Sequence, residues 1–261
     1  MNLIRSELRK FFSTRTWVWL LIGCVGLALL QVVILLSAAG TVDAATGMPV
    51  FPEIDSPEIV TLVLSAPATA TIFIAVLGVL GVTTEYRHKT IAPTFLATPH
   101  RWMVVVAKLV TYLLLGVLYA FVAAVFTVVV TAIWVNAAGG SFSLGGDNAK
   151  VLVGAAIAAA LYGIIGVSVG ALVPNQIGAV SGLLAYMFVV ESILAAVPAT
   201  QDSVYPYLPG GAAAAMYTYT DVPGPGGTEY LSPIVGGLVL TGYAAVLAVL
   251  AYLFSTRREV S

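Results

Sequence analysis

The chain has 261 residues, of which 60% are hydrophobic and 9% are charged, and its mean hydropathy is +1.02. Soluble domains contain about 45–50% apolar and about 25% charged residues, so a water-soluble fold could not bury this much apolar surface. The net charge of −1 says little by itself, and no basic or acidic tail points to a nucleic-acid partner. These properties predict an all-α membrane protein, with the lipid bilayer around a single transmembrane domain over residues 1–261.

The first predicted element is an amphipathic helix over residues 2–14, "NLIRSELRKFFST". Its apolar residues recur at helical spacing: Ile4, Leu8, Phe11 and Phe12. Its charged residues fall mostly on the opposite face: Arg5, Glu7, Arg9 and Lys10. This pattern predicts a helix that lies on the inner leaflet, although a cytoplasmic extension of the first span is an alternative.

Six later stretches are apolar over about 20 residues, the length that crosses a bilayer. They cover residues 17–39, 60–82, 109–135, 151–173, 177–197 and 233–254. The first is longer than the apolar part of a cleavable signal, so we expect it to stay as an anchor that buries Cys24. Pro67 predicts a kink in the second, with the freed carbonyl satisfied by neighbouring threonines. The pairs Gly166/Gly170 and Gly178/Gly182 permit close helix packing.

The distribution of Lys and Arg predicts that both termini are cytoplasmic. With that orientation ten of the eleven basic residues face inward: Arg5, Arg9, Lys10, Arg15, Arg87, Lys89, Arg101, Lys108, Arg257 and Arg258. Only Lys150 faces outward. Eight acidic residues are external: Asp43, Glu53, Asp55, Glu58, Asp147, Asp202, Asp221 and Glu229.

The predicted external segment, residues 198–232, is rich in Pro, Gly and Tyr. Its "YLPGGAAAAMYTYT" predicts a short helix at the outer surface before the last span, and "DVPGPGGTEY" predicts a turn-rich loop. Just before this segment, Glu191 is an ionisable residue within the fifth span. Such residues usually face a bundle interior or a watery cavity, so Glu191 is a candidate for a translocation path or gate. A structural hydrogen-bonding role, or solvation near the surface, is the alternative.

Motifs of soluble enzymes are missing from the sequence. There is no G-x-x-x-x-G-K-[ST] phosphate-binding loop, no H-E-x-x-H and no Cys/His cluster. His88 and His100 stand twelve residues apart, which does not predict a metal site. We therefore expect no catalysis by this chain alone, no metal and no cofactor bound to it.

The loop over residues 84–102, "TEYRHKTIAPTFLATPHRW", carries a family resemblance. It resembles the segment of type-2 ABC transporter permeases in which a span ends in Glu and leads through a short helix into the next span. The matching positions are Glu85, Arg87, Thr90, Leu96, Pro99, Arg101 and Lys108. Lys89 stands where many relatives carry Gly, and Pro93 lies inside the expected short helix. The N-terminal "SELRKFFSTRTWVWL", the external "YLPGGAAAAM" and the basic "FSTRREVS" are also similar to that family.

The resemblance implies a plasma-membrane permease of the ABCG-like exporter fold. Such a permease pairs with a second copy, or with a similar chain, and with two separate ATP-binding subunits that hold ATP and Mg²⁺. The loop would contain a cytoplasmic coupling helix, with Glu85, Arg87, Lys89, Thr90, Leu96, Pro99 and Arg101 as coupling residues. The second and fifth spans would line the path of a lipophilic or amphiphilic cargo (a drug, antibiotic, lipid or peptide). Its candidate residues are Thr71, Phe73, Phe188 and Glu191.

Two other functions are compatible with six spans. A secondary transporter could use Glu191 as a proton carrier, but no inverted repeat of three spans is evident. The loop lengths also argue against an inverted repeat. About 20 residues join the second and third spans, while "PNQ" alone joins the fourth and fifth. A membrane immunity or scaffold protein without transport is the remaining alternative.

Overall fold

A computed structural model describes residues 2–42, 50–88, 101–218 and 229–257. These residues form α-helices joined by turns and loops, and we number the helices in chain order. Their bounds are α1 (Asn2–Ser13), α2 (Thr16–Ala38), α3 (Pro57–Val63), α4 (Ala70–Arg87), α5 (Arg101–Ala137), α6 (Asp147–Leu172), α7 (Gln176–Ala185), α8 (Glu191–Ala196), α9 (Pro209–Tyr217) and α10 (Pro233–Arg257).

Six helical segments of the described chain are long and apolar enough to cross a membrane, as expected for a multi-pass membrane protein. They are Thr16–Ala38, Pro57–Arg87, Trp102–Ala137, Asp147–Leu172, Gln176–Ala196 and Pro233–Phe254. The predicted spans are therefore confirmed in number and order. The third begins about seven residues earlier than predicted, inside the loop assigned to coupling, because the apolar "WMVVVA" continues the helix without a break.

The second span is interrupted where the sequence predicted a kink. A 3₁₀ segment, Ala66–Thr69, carries Pro67 and separates α3 from α4. The Thr69 and Thr71 hydroxyls donate to backbone carbonyls three residues earlier, at 2.9 and 2.7 Å. These bonds go to the carbonyls of Ala66 and Ala68, and neither goes to the carbonyl of Val63, which Pro67 leaves without its helical donor.

α4 and α6 form the centre of the bundle and are its most buried spans. They touch backbone to backbone, because a Cβ added at Gly78 or Gly166 would overlap the main chain of the other helix. Gly170 also faces α4, whereas Gly182 has open space around it. The first predicted glycine pair therefore packs helices within this chain, and the second leaves its face uncovered.

The amino-terminal helix is separate from the first span. α1 ends at Ser13 and α2 starts at Thr16 after a bend. Phe11 is buried against Trp17 and Tyr112, with ring centroids 5.9 and 6.3 Å apart. α1 consequently packs on the start of α5 and does not extend α2.

Candidate functional site

The strongest polar feature of the described residues is a closed ring of four charged side chains, which we call the charge ring. Lys108 Nζ on α5 lies 2.6 Å from Glu7 Oε2 on α1 and 2.7 Å from Glu85 Oε1 on α4. Lys10 Nζ on α1 lies 2.8 Å from Glu7 Oε1 and 2.9 Å from the same Glu85 oxygen. Each carboxylate contacts both ammonium groups, so the ring is neutral and joins three helices.

Local structure explains how α1 enters the ring. Glu7, Lys10 and Phe11 are three and four residues apart, so they project from adjoining positions on α1. Phe11 anchors this face in the aromatic cluster with Trp17 and Tyr112. Opposite it, Gly81 of α4 leaves room for Tyr112, whose hydroxyl a Cβ at position 81 would overlap. The apolar anchor therefore holds the two charged residues against α4 and α5.

Electrostatics stabilise the charged forms within the ring. Burial alone would raise the pKa of Glu7, but the ammonium groups of Lys108 and Lys10 outweigh it and leave this pKa below its usual value. Burial alone would lower the pKa of Lys10, but hydrogen bonds and charge from Glu7 and Glu85 leave it raised. Lys108 and Glu7 have only 6% of their side chains exposed. Charged groups that are this deeply buried need a partner of opposite charge, which each supplies to the other.

The predicted coupling residues have different positions in the structure. Glu85 is a member of the charge ring, and Arg87 is exposed in the last turn of α4. Arg101 is the first residue of α5, and its side chain lies outside the described part of the protein. The remaining residues, and the short helix predicted there, also lie outside it: Lys89, Thr90, Leu96 and Pro99.

The second feature lies at the other end of α4, around Glu191. The Glu191 carboxylate Oε1 accepts a hydrogen bond of 2.9 Å from the backbone N–H of Gly210, near the start of α9. Leu208, which precedes that helix, provides no side-chain cap, so Glu191 supplies the cap from another helix. A negative group at a helix N-terminus is also favoured by the helix dipole.

A π-helical turn before Glu191 and a glycine at position 210 make this contact possible. A π-helical turn, Tyr186–Val190, immediately precedes Glu191, and the Tyr186 hydroxyl donates to its carboxylate. A Cβ at position 210 would overlap Glu191 Oε2, so any larger residue there would force the carboxylate to shift from this position. Single π-turns of this kind occur frequently at functional sites.

Glu191 borders a cavity of about 270 Å³, which we call the tyrosine cavity. Its aromatic lining comes from four tyrosines and one phenylalanine: Tyr162, Phe188, Tyr205, Tyr217 and Tyr230. Of the predicted path residues, Thr71, Phe188 and Glu191 line it together. Phe73 is not brought there, since its ring lies against Gly23 of α2.

Several members of both sites were not singled out by the sequence analysis. Glu7 was placed on a polar helix face, but the structure buries it because its partners come from α4 and α5. Tyr205, Tyr217 and Gly210 belong to the segment 198–232. Its content of Tyr and Gly predicts no functional role for any one of these residues. Within the described ranges, no three His, Cys, Asp or Glu side chains are placed to hold a metal ion.

No protein-family model matches the chain, and no curated protein is significantly similar to it.

Proposed function

We propose that this chain is the permease subunit of an ATP-driven exporter of the type-2 ABC family. It would export a lipophilic or amphiphilic cargo by alternating access, paired with a second permease chain and driven by separate ATPase subunits. Those subunits would hold ATP and Mg²⁺, because this sequence has no phosphate-binding loop.

The charge ring is the observation that carries the proposal. Glu85 lies on α4 at the start of the loop 84–102, Lys108 lies on α5 shortly after its end, and Glu7 and Lys10 attach α1 to both helices. The two Lys108 pairs are buried and separate only at a high cost, whereas Lys10 is 45% exposed and its pairs contribute less. A push on the loop would therefore move α1, α4 and α5 as one body, which is what coupling to an external ATPase requires.

The proposed placement in the membrane follows from charge. The exposed residues of α1 are Arg5, Arg9, Lys10, Phe12 and Ser13, and this basic face with one aromatic ring suits the anionic inner leaflet of the plasma membrane. The cytoplasm would then hold both termini and the charge ring, with a coupling helix in the loop 84–102. α9 and the tyrosine cavity would lie at the outer surface.

A reconstitution experiment tests the proposal. The permease would be co-expressed with an ATPase subunit encoded beside it, and ATP-driven transport of candidate cargos measured in proteoliposomes. Arg87→Ala should abolish transport and substrate-stimulated ATP hydrolysis while insertion stays normal, because Arg87 is exposed beside the loop. Arg15→Ala, which also removes an exposed basic residue near the same end, is the matched control.

Unchanged coupling in Arg87→Ala would refute the role of Arg87. Transport on a proton gradient alone, with no ATPase bound, would refute the proposed function.

Glu191 favours one competing function. A buried carboxylate beside a cavity could carry a proton in a secondary transporter. That function requires uptake in ATPase-free vesicles that responds to a pH gradient and stops in Glu191→Gln. The ATP-driven exporter requires no such response.

A further inference from the structure

The tyrosine cavity has an unusual charge balance. Glu191 is only 5% exposed, and its hydrogen-bond partners are the neutral Gly210 N–H and Tyr186 hydroxyl. None of the ion pairs found among residues 2–42, 50–88, 101–218 and 229–257 involves Glu191. Among the residues that the structure describes, the carboxylate is thus hydrogen-bonded but has no cation beside it.

The rest of the sequence offers no obvious counter-ion. Between Lys108 and Arg257 the only basic residue is Lys150, and residues 43–49 and 219–228 contain none. Lys150 Nζ lies 2.7 Å from Asp147 and lines a different groove, between α6 and α10. Isolated buried charge is expensive in a medium of low dielectric. A positive group from outside the chain would compensate it.

The aromatic walls favour the same kind of group. Burial raises the pKa of Tyr205, Tyr217 and Tyr230 above the usual value, so these phenols stay neutral near pH 7. Neutral aromatic rings attract cations to their faces, and a desolvated contact is stronger than an exposed one. Tyr205 and Tyr230 stand with ring centroids 6.5 Å apart at one side of the cavity.

Size limits the ligand. Pockets for drug-sized molecules measure about 300–1,000 Å³, and this cavity of about 270 Å³ lies just below that range. It suits a compact substituted ammonium group, or the head of a longer amphiphile, better than a whole drug-sized molecule.

We propose that the tyrosine cavity binds an organic ammonium cation, held by the Glu191 carboxylate and the surrounding tyrosine rings. The inference rests on the proposed function in that it names the cargo class of that exporter. The cation would bind to residues of this chain alone, so its binding needs neither ATP nor the ATPase subunit. The two claims can therefore be tested separately.

The test uses choline and its uncharged carbon analogue, 3,3-dimethylbutan-1-ol, which has nearly the same shape. Binding of each to the full-length permease in nanodiscs, without ATPase, is measured by isothermal titration calorimetry. We expect choline to bind about tenfold more tightly than the neutral analogue. Equal affinities, or no choline binding, would overturn the inference without any variant.

Variants identify the cavity as the site. Glu191→Gln removes the charge but keeps an oxygen for the Gly210 N–H, so choline affinity should fall about tenfold while circular dichroism stays unchanged. Glu58→Gln removes an exposed acid outside the cavity and should bind like the wild type. Tyr217→Phe should keep the affinity and Tyr217→Leu should lower it, because only the second loses the ring. Equal loss in Glu58→Gln, or no loss in Glu191→Gln, contradicts this site.

Transport separates this inference from the proposed function. ATP-driven export of another cargo without choline binding would refute the cation site alone. Charge-selective choline binding that depends on Glu191, in a protein that never couples to an ATPase, would support the site and refute the exporter.

Discussion

The charge ring and the Glu191 site both bury carboxylates, yet they compensate the charge differently. In the ring, Glu7 and Glu85 face Lys10 and Lys108, so two negative and two positive groups balance within 2.6–2.9 Å. Within the described part of the chain, the polar partners of Glu191 are neutral hydrogen-bond donors, the Gly210 N–H and the Tyr186 hydroxyl. Paired charges fix one arrangement of helices, whereas a carboxylate without a counter-ion retains the capacity to attract one.

The two sites occupy opposite ends of one helix. Thr71, at the start of α4, lines the tyrosine cavity, and Glu85, near its end, belongs to the ring. Fourteen residues of α-helix separate them, or about 21 Å. A rigid α4, packed backbone to backbone on α6, gives the ring a direct mechanical connection to the cavity wall.

The largest effect is expected from breaking the ring at its most buried cation. Lys108→Met leaves Glu7 and Glu85 to share Lys10, and should lower the free energy of unfolding by about 3–5 kcal/mol. Unfolding in detergent, followed by circular dichroism, measures it. Lys150→Met removes a lysine from an exposed pair and should cost less than about 1 kcal/mol. Similar losses in both variants would show that the ring does not stabilise the fold.

A smaller loss is expected when the Glu191 contact is blocked. Gly210→Ala places a Cβ where Glu191 Oε2 lies, so the cap on α9 should break at a cost of about 1–3 kcal/mol. Gly182→Ala, in open space, is the control and should not destabilise the protein. The cost of Gly210→Ala should shrink in a Glu191→Ala background, as a double-mutant cycle would measure. A cost independent of Glu191 would argue against the overlap as its cause.

The free energy of unfolding should also fall at acid and at alkaline pH because of the ring. Each fall should be smaller than the effect of removing Lys108, because only the difference in pKa between the folded and unfolded states contributes. Glu7 has a lowered pKa, so its contribution is complete above its unfolded pKa of about 4.3 and is lost as pH falls through the folded value. Lys10 has a raised pKa, so its contribution is complete below about 10.4 and is lost at higher pH. Melting temperature against pH measures both limits, and Glu7→Gln should flatten the acid side. An unchanged acid side in that variant would contradict the role of Glu7.

The smallest loss is expected from neutralising Glu191. Glu191→Gln keeps an acceptor for the Gly210 N–H and removes a buried charge that has no cation beside it among the described residues, so the free energy of unfolding should not fall. Glu7→Gln removes one negative charge from the ring and should cost clearly more. An equal loss of unfolding free energy in Glu191→Gln and Glu7→Gln would contradict the distinction between a paired carboxylate and one that is available to a ligand.

Much of the fold could be predicted because each span needs only its own residues. A run of about 20 apolar residues specifies a membrane helix whatever its neighbours are, and Pro67 breaks the second span by lacking an N–H. The predicted helix before the last span is present as α9. The candidate sites were only partly predictable: Thr71, Phe188 and Glu191 meet in one cavity, while Phe73 packs elsewhere.

By itself, the sequence determined the membrane class and the number and order of the six spans, since these depend on composition and on local periodicity. Only the tertiary structure decided that Glu7 is buried with Lys108, 101 positions away, and that Glu191 caps a helix beginning at Pro209. Which charges meet depends on how helices pack, and no local pattern encodes a contact across that distance. The tyrosines around Glu191 come together for the same reason, from α6 and from the segment before α10.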